Sequence, residues 1–126
     1  MEHENIAQSA CDRALEILKT PHLRFRPMRR KNNRVNTKRG FVIGRTNLKT
    51  GLITIDIRTP KKREPEKISS ILRVLCHEAA HHQKKPFRQR YKGRWIIRQH
   101  YPKFYEQVNK NIELLKRSKE LEKYFS

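Results

Sequence analysis

Three stretches of the chain place apolar residues at helical spacing. In the first, apolar side chains recur every three or four residues and form one face. This helix ends near Lys19, because the residue before Pro21 avoids the helical region of backbone conformation. The three predicted helices are residues 5–19, a segment that begins between Pro65 and Ser69 and ends near His82, and residues 102–116.

An alternation of apolar and polar residues predicts strands between the first two helices. The segment 52–58 (LITIDIR) directs Ile53, Ile55 and Ile57 to one side, as in a half-buried strand. Residues 41–46 form a second strand that the NLKTG turn joins to the first, and residues 23–26 form a further short strand. The pattern therefore predicts an α+β fold with an N-terminal helix, a short antiparallel sheet, a central helix and a C-terminal helix.

The chain length of 126 residues is that of one domain, which we assign to residues 1–126. No apolar run reaches about 18 residues, so no membrane association is expected. The acidic, helical N-terminus does not have the pattern of a signal peptide. Cys11 and Cys76 do not suggest a disulfide framework, which favours an intracellular location, cytoplasmic or nucleoid-associated. We expect a monomer by default.

Positive charge dominates the middle of the chain. The net charge is +19, and residues 19–103 contain 25 basic and 4 acidic side chains. Such a field attracts polyanions, so nucleic acid is the predicted partner, although a solvated basic surface is the alternative. The predicted nucleic-acid-binding residues form two clusters: Arg29, Arg30, Lys31, Arg34, Lys38 and Arg39, and then Lys84, Lys85, Arg88, Arg90, Lys92, Arg94 and Arg98.

Aromatic residues are interleaved with the second basic cluster. Phe87, Tyr91 and Trp95 recur every four residues there, and Pro86 and Gly93 interrupt any long helix. Aromatic rings among cations can stack on unpaired bases. The alternative is that these rings belong to the core, as large aromatic side chains commonly do.

Residues 76–82 read CHEAAHH and contain the pattern H-E-x-x-H. On a helix, His77 and His81 project side by side, so the two imidazoles can bind one zinc ion. Glu78 projects about 100° from His77 and is placed to take a proton from a water molecule and pass it to a leaving amine. The alternative is a helix end with solvated histidines.

A catalytic zinc site usually has three protein ligands and one open position. His82 projects away from His81 and is a poor candidate for the third ligand. His100, Glu106 and Glu113 follow later in the chain, and the residue spacing alone does not choose among them.

The stretches GRTNLKTGLITIDIRTP, ILRVLCHEAAHH and HYPKFYEQVNKNIELL resemble the SprT-like metalloprotease family, which includes the Spartan-type DNA–protein crosslink proteases and has WLM-type relatives. The matching positions are His77, Glu78, His81, His100, Pro102 and Phe104. Tyr101 stands where the family often has glycine. With only two cysteines, the chain looks like a bare catalytic core without the cysteine-rich zinc module.

The resemblance implies a zincin-like domain in which His77, His81 and His100 bind Zn²⁺. It implies that Glu78 acts as general base and then as general acid on a protein substrate, in association with single-stranded or crosslinked DNA. The segment 52–58 would pair with an extended substrate. Tyr91, Tyr101 and Tyr105 are candidate donors to the oxyanion.

Two other functions stay open. One is a gluzincin-type minimal peptidase whose third ligand is Glu106 or Glu113. The other is a nucleic-acid-binding protein with a non-catalytic zinc site. A further hypothesis is that the terminal segment KRSKELEKYFS, with Glu120 and Glu122, covers the cleft.

Overall fold

The computed structural model describes residues 2–30 and 42–126. The elements in chain order are α1 (Glu2–Ile17), β1 (Arg24–Pro27), β2 (Gly44–Thr46), β3 (Leu52–Ile55), α2 (Ile68–Gln83), β4 (Phe87–Tyr91), β5 (Arg94–Arg98), α3 (Pro102–Arg117) and a short 3-10 helix (Glu122–Tyr124). The predicted α+β class and the three predicted helices are confirmed. Within the described ranges, the helices are too short or too polar to cross a membrane.

The main sheet has three strands in the order β1-β3-β2. β2 pairs antiparallel with β3, which confirms the predicted hairpin, but β1 pairs parallel with β3, with Phe25 opposite Ile53. The sheet is therefore mixed, and the prediction of a wholly antiparallel sheet is wrong for β1. A short alternating strand carries no signal for direction, because its side chains have the same period in both orientations.

The main core lies between the sheet, α1 and α2. Ile53, Ile55 and Ile57 are buried as predicted, and they meet a face of α2 that includes Leu72 and Leu75. The residues that α1 contributes are mostly small: Ala7, Ala10, Cys11, Ala14 and Leu15. Cys11 and Cys76 are buried free thiols, and burial raises the pKa of the Cys76 thiol to about 12. Both cysteines therefore serve as small core residues.

Asp56 lies on the face of the sheet that the alternation pattern assigns to solvent, yet its side chain is only 4% exposed. Arg63 donates to both carboxylate oxygens, at 2.7 and 2.9 Å, and Arg30 Nε donates at 2.7 Å. Burial raises the pKa of Asp56, but the hydrogen bonds from Arg63 and Arg30 prevail and hold it below its ordinary value. Arg30 also donates to the carbonyl of Val42, so this ion cluster joins the end of β1 to the approach to β2.

The basic segment after α2 folds into a hairpin of β4 and β5. Phe87 pairs with Arg98 at the open end and Tyr91 with Arg94 at the turn. The turn residues Lys92 and Gly93 both have positive φ, 49° and 81°, as a two-residue type I′ turn requires. The sequence pattern indicated only that Pro86 and Gly93 break any long helix, and no strand was predicted here. The hairpin was missed because lysine at the first turn position is a weaker signal than asparagine or aspartate.

The C-terminal segment packs on the main core. Leu121 is 2% exposed in that core, and Arg13 of α1 donates to Glu120 at 3.0 Å. The guanidinium carbon of Arg73 lies over the ring of Phe125, 5.5 Å from the centre of that ring. The hypothesis that this segment covers the cleft is therefore wrong, because its apolar residues are used against α1 and α2.

We predict that Leu121→Ala lowers the free energy of unfolding by about 2 to 5 kcal/mol, because it leaves a cavity in the core. Leu114→Ala is the matched control, since Leu114 is 44% exposed on α3 and should change stability by no more than about 0.5 kcal/mol. Chemical denaturation measures both values. Equal stabilities of the two variants would contradict the core position of the C-terminal segment.

Candidate metal centre

The C-terminal half of α2 carries the H-E-x-x-H residues. Leu72, Leu75 and Ala79 are fully buried and anchor one side of the helix in the core. His77 and His81 project from another side, towards α3. The burial of one face of α2 therefore fixes the direction in which His77 and His81 project, independently of any metal ion.

His100 joins this pair from the residues just before α3. Each of the rings of His77, His81 and His100 contributes one nitrogen atom to a cluster. These three nitrogen atoms all lie within 4.8 Å of one another. The three ring centres are 5.0 to 5.2 Å apart, close to an equilateral triangle. The structure thus brings together the three predicted metal ligands.

The glutamates proposed as alternative ligands lie elsewhere. Glu106 and Glu113 are both exposed on α3, and neither belongs to the histidine cluster. Glu113 instead lies 3.7 Å from the ammonium group of Lys116. His82 is also outside the cluster and hydrogen-bonds to the hydroxyl of Thr46, as expected from its different direction on the helix.

Phe104 of α3 lies beneath all three histidines. Its ring centre is 5.0 Å from that of His77, 4.5 Å from that of His81 and 5.2 Å from that of His100. Phe104 is fully buried, so it cannot move aside without opening the core. The sequence identified Phe104 as a position that matches the SprT-like pattern, and its contact with the whole triad was not foreseen.

Asn111 links α3 to α2 by polar contacts. Its Nδ2 donates to the carbonyl of Cys76 at 3.2 Å and to Gln83 Oε1 at 2.7 Å. Gln107 donates to Asn111 Oδ1 at 3.0 Å, and the Asn111 side chain is fully buried. Asn111 follows Phe104 by seven residues, about two helical turns, and therefore lies on the same face of α3; this spacing was the available signal for the contact.

The environment of the triad favours neutral imidazoles. Burial, and then the charges of His77, His100 and His82, lowers the pKa of His81 to about 4. Burial and the charge of His100 also lower the pKa of His77. Neutral imidazole is the form that binds a metal ion, so near neutral pH few protons compete for His77 and His81.

Glu78 lies beside the triad and under β2. It is 7% exposed, and burial raises its pKa to about 7. A Cβ at Gly44 would lie 2.6 Å from Val74 Cγ1 and 3.5 Å from Glu78 Oε2. The conflict is with Val74, so the missing Cβ of Gly44 lets β2 lie this close to α2 at Val74, next to the Glu78 carboxylate.

β2 is the edge of the sheet beside the histidines. The N–H of Asp56 donates to the carbonyl of Ile43, and the N–H of Asn47 donates to the carbonyl of Leu52. Hydrogen-bonded and non-hydrogen-bonded pairs alternate along an antiparallel ladder, so the N–H and C=O groups of Gly44 and Thr46 point away from β3. The prediction that residues 52–58 form the cleft edge is wrong, because β3 has a neighbouring strand on both sides. β2 takes that position instead.

The triad and Glu78 line an open cleft of about 360 Å³. β2 and the following turn form one wall, and Pro86, Gln99 and His100 at the base of the hairpin form the other. Three imidazoles with one open side match the donor set of a catalytic zinc site. The chemistry distinguishes this cleft from the larger groove between α1 and β1, whose lining residues include no histidine.

The three candidate tyrosines have different surroundings. Tyr101 donates its hydroxyl to the carbonyl of Lys85 at 3.0 Å, and Tyr91 lies next to the hairpin turn. Tyr105 is half exposed, with its ring centre 6.2 Å from that of His100. Tyr105 is therefore the candidate that the structure places beside the triad with an exposed side chain.

The two basic clusters also differ. In the first, Arg29 forms a bidentate ion pair with Glu4 and Arg30 is held by Asp56. Lys31, Arg34, Lys38 and Arg39 lie outside the described residues. In the second, Lys84 and Lys85 follow α2, and the remaining residues are on the hairpin: Arg88, Arg90, Lys92, Arg94 and Arg98.

Comparisons with known proteins give little on function. No family model matches this sequence, and no curated protein matches it. The solved metallopeptidase zymogen of Pyrococcus abyssi abylysin is similar over 94% of this chain and 87% of its own, with 21% identity and a TM-score of 0.43. At this level of similarity nothing about the chemistry is inferred from abylysin, so the chemistry of the site is argued from the residues of this chain. The SprT-like resemblance stays a prediction.

We predict about one zinc ion per chain in the purified protein and nearly none in His100→Ala. The reason is that a three-ligand site loses most of its affinity for zinc when one ligand is removed. Glu106→Ala and Glu113→Ala should keep the metal. Elemental analysis after gel filtration measures the ratio. Zinc retained in His100→Ala but lost in either glutamate variant would instead identify a gluzincin-type site.

We also predict that Glu78→Gln stabilises the metal-stripped protein at alkaline pH. The carboxyl has a pKa of about 7 in the fold against an ordinary 4.5, so it binds its proton more tightly when folded. The resulting stability is complete below the unfolded pKa and is lost as pH rises through the folded pKa. The free energy of unfolding of Glu78→Gln minus that of wild type should therefore increase by about 3 kcal/mol between about pH 4 and pH 8.

Denaturant unfolding of both proteins at the two pH values gives this difference, and the contributions of His77 and His81 are common to both proteins. Glu106→Gln is the matched control, because Glu106 is exposed and its substitution should show no such pH dependence. The same difference at both pH values would show that the Glu78 carboxylate is better solvated than the fold implies.

Proposed function

We propose that this protein is a zinc-dependent metalloendopeptidase. The observation that supports the proposal is the convergence of His77, His81 and His100 with Glu78 on one open cleft. Three ligands with an open side are typical of catalytic sites, whereas structural zinc sites are closed by a fourth ligand. An all-imidazole set suits zinc better than the oxygen-preferring cations calcium and magnesium.

Zinc, when bound, supplies a Lewis acid that polarises the scissile carbonyl and acidifies a water molecule. Glu78 takes the proton of that water at its carboxylate as the oxygen attacks the carbonyl carbon. It then gives the proton to the amide nitrogen as the C–N bond breaks, which leaves a carboxylic acid and an amine. A carboxylate beside the metal can both accept and return this proton, and in the metal-free fold burial already raises the pKa of Glu78 to about 7.

The substrate is a protein segment in extended form. Its backbone would pair with the outward N–H and C=O groups of Gly44 and Thr46 and so extend the sheet by one strand. Gly44 and Glu78 line the same cleft, so the paired segment would run beside the Glu78 carboxylate. Tyr105 is the candidate hydrogen-bond donor to the oxyanion that forms on the carbonyl.

The finer proposal is a peptidase of the SprT-like kind that acts on proteins associated with DNA. The charge of +19 and the exposed basic hairpin support this proposal. The free, buried cysteines agree with an intracellular location. The gluzincin alternative has lost its support because Glu106 and Glu113 lie outside the cluster.

We predict that Glu78→Gln retains zinc and lowers cleavage of an unfolded protein substrate by at least about 100-fold, because general acid–base catalysis typically contributes 10²–10⁴-fold. Cleavage is followed by electrophoresis, with the zinc content measured on the same preparation. Glu106→Gln removes an exposed carboxylate from α3 and should cleave as wild type does. Undiminished cleavage by Glu78→Gln would refute the assigned role.

A further inference from the structure

The β4–β5 hairpin exposes large apolar side chains. Phe87 is 45% exposed, Tyr91 47%, Trp95 56% and Ile97 65%. A two-stranded hairpin is marginally stable by itself, and exposed rings at this density are typical of a binding surface. The core explanation for Trp95 is therefore wrong.

The two faces of the hairpin have different surroundings. Residues paired across the strands share a face, which places Arg88, Arg90, Trp95 and Ile97 together. On the other face, Phe87 packs against Tyr101 with ring centres 5.0 Å apart, and Arg98 donates to Gln89 at 2.7 Å. One face is thus anchored to the domain, while the face that carries Trp95 is directed away from that anchor.

The Trp95 face combines cations with a ring. The guanidinium carbons of Arg88 and Arg90 lie 5.1 and 5.7 Å from the centre of the Trp95 ring. Residues 84–98 contain seven basic side chains and no acidic one. None of the ion pairs found in residues 2–30 and 42–126 involves a hairpin arginine, whereas Arg29, Arg30 and Arg63 each bind a carboxylate. The hairpin cations are thus left for an external anion.

We propose that the face formed by Arg88, Arg90, Trp95 and Ile97 binds single-stranded nucleic acid. A base can stack on Trp95 while the flanking guanidinium groups contact the adjacent phosphates. In a duplex the base faces are stacked on one another, so Trp95 would add little there. An anionic membrane is a weaker match, since the apolar part of this face is one tryptophan and one isoleucine among arginines.

The position of the hairpin connects this surface to the cleft. Pro86 and Gln99, at its base, line the same cleft as Glu78. A single-stranded nucleic acid bound along the hairpin would therefore hold a protein that is attached to that nucleic acid beside the triad. This consequence rests on the proposed peptidase function. The binding itself does not depend on cleavage, so the two proposals fail separately.

Trp95 is the single tryptophan of the chain, so its fluorescence reports on this face alone. We expect a short oligothymidylate to quench the Trp95 emission of the full-length wild-type protein to saturation. The affinity should fall steeply with salt, because phosphate contacts release counterions. A blunt duplex of the same length should bind more weakly and change the emission little. Both measurements use no protein substrate and no variant.

The variants separate stacking from charge. By fluorescence anisotropy of a labelled oligothymidylate, Trp95→Ala should weaken binding about 5- to 150-fold, and Trp95→Phe should retain most of the affinity. Arg88→Gln should reduce the slope of log affinity against log salt by about 0.7. Arg117→Gln, an exposed arginine at the end of α3, is the matched control and should leave the slope nearly unchanged.

Three outcomes would overturn the proposal. In the first, the oligonucleotide binds without any change in Trp95 emission and Trp95→Ala binds as tightly as wild type. In the second, the duplex binds as tightly as the single strand with the same quenching. In the third, phosphatidylserine vesicles shift the Trp95 emission while the oligonucleotide does not, which would assign the face to a membrane surface.

Discussion

The packing of α3 against α2 is the contact on which the candidate site depends. α2 presents His77 and His81, but a pair of imidazoles is not a catalytic metal site until a third ligand reaches it. Phe104 contacts all three histidine rings from below, and Asn111 joins α3 to the backbone of α2. The same residues that fill this part of the core therefore fix the angle at which His100 approaches. Any rearrangement that separates the two helices would also open the triad.

The other wall of the cleft rests on a different interaction, the buried ion cluster at Asp56. An unpaired carboxylate at 4% exposure would be strongly unfavourable, so Arg30 and Arg63 are required partners. Through Arg30 and the backbone of Ile43, the cluster holds the approach to β2. Gly44 then lets β2 lie close to Val74 of α2, next to Glu78. One wall is thus set by apolar packing and the other by charge.

The sequence predicted the parts that have strong local signals. The three helices were placed within a few residues, and the H-E-x-x-H pattern located two candidate ligands and Glu78 on one of them. The third candidate ligand was not determined by spacing, because His100 reaches the triad only through tertiary packing. The buried Asp56 and the parallel β1 were missed because alternation describes one strand at a time. Neither the partners of a carboxylate nor the direction of a neighbouring strand is a local property.

The hairpin explains how the chain brings His100 back to His77 and His81. His81 and His100 are nineteen positions apart, a separation that an extended chain would turn into tens of ångströms. Antiparallel pairing of Phe87 with Arg98 brings the two ends of this segment side by side, so His100 emerges next to the helix that the chain has just left. The length of the hairpin is then unconstrained by the metal site, because adding paired residues would extend its tip without moving its base. Residues towards the tip, such as Trp95, Arg88 and Arg90, can therefore change to suit a binding partner without moving the histidine triad beside the base of the hairpin.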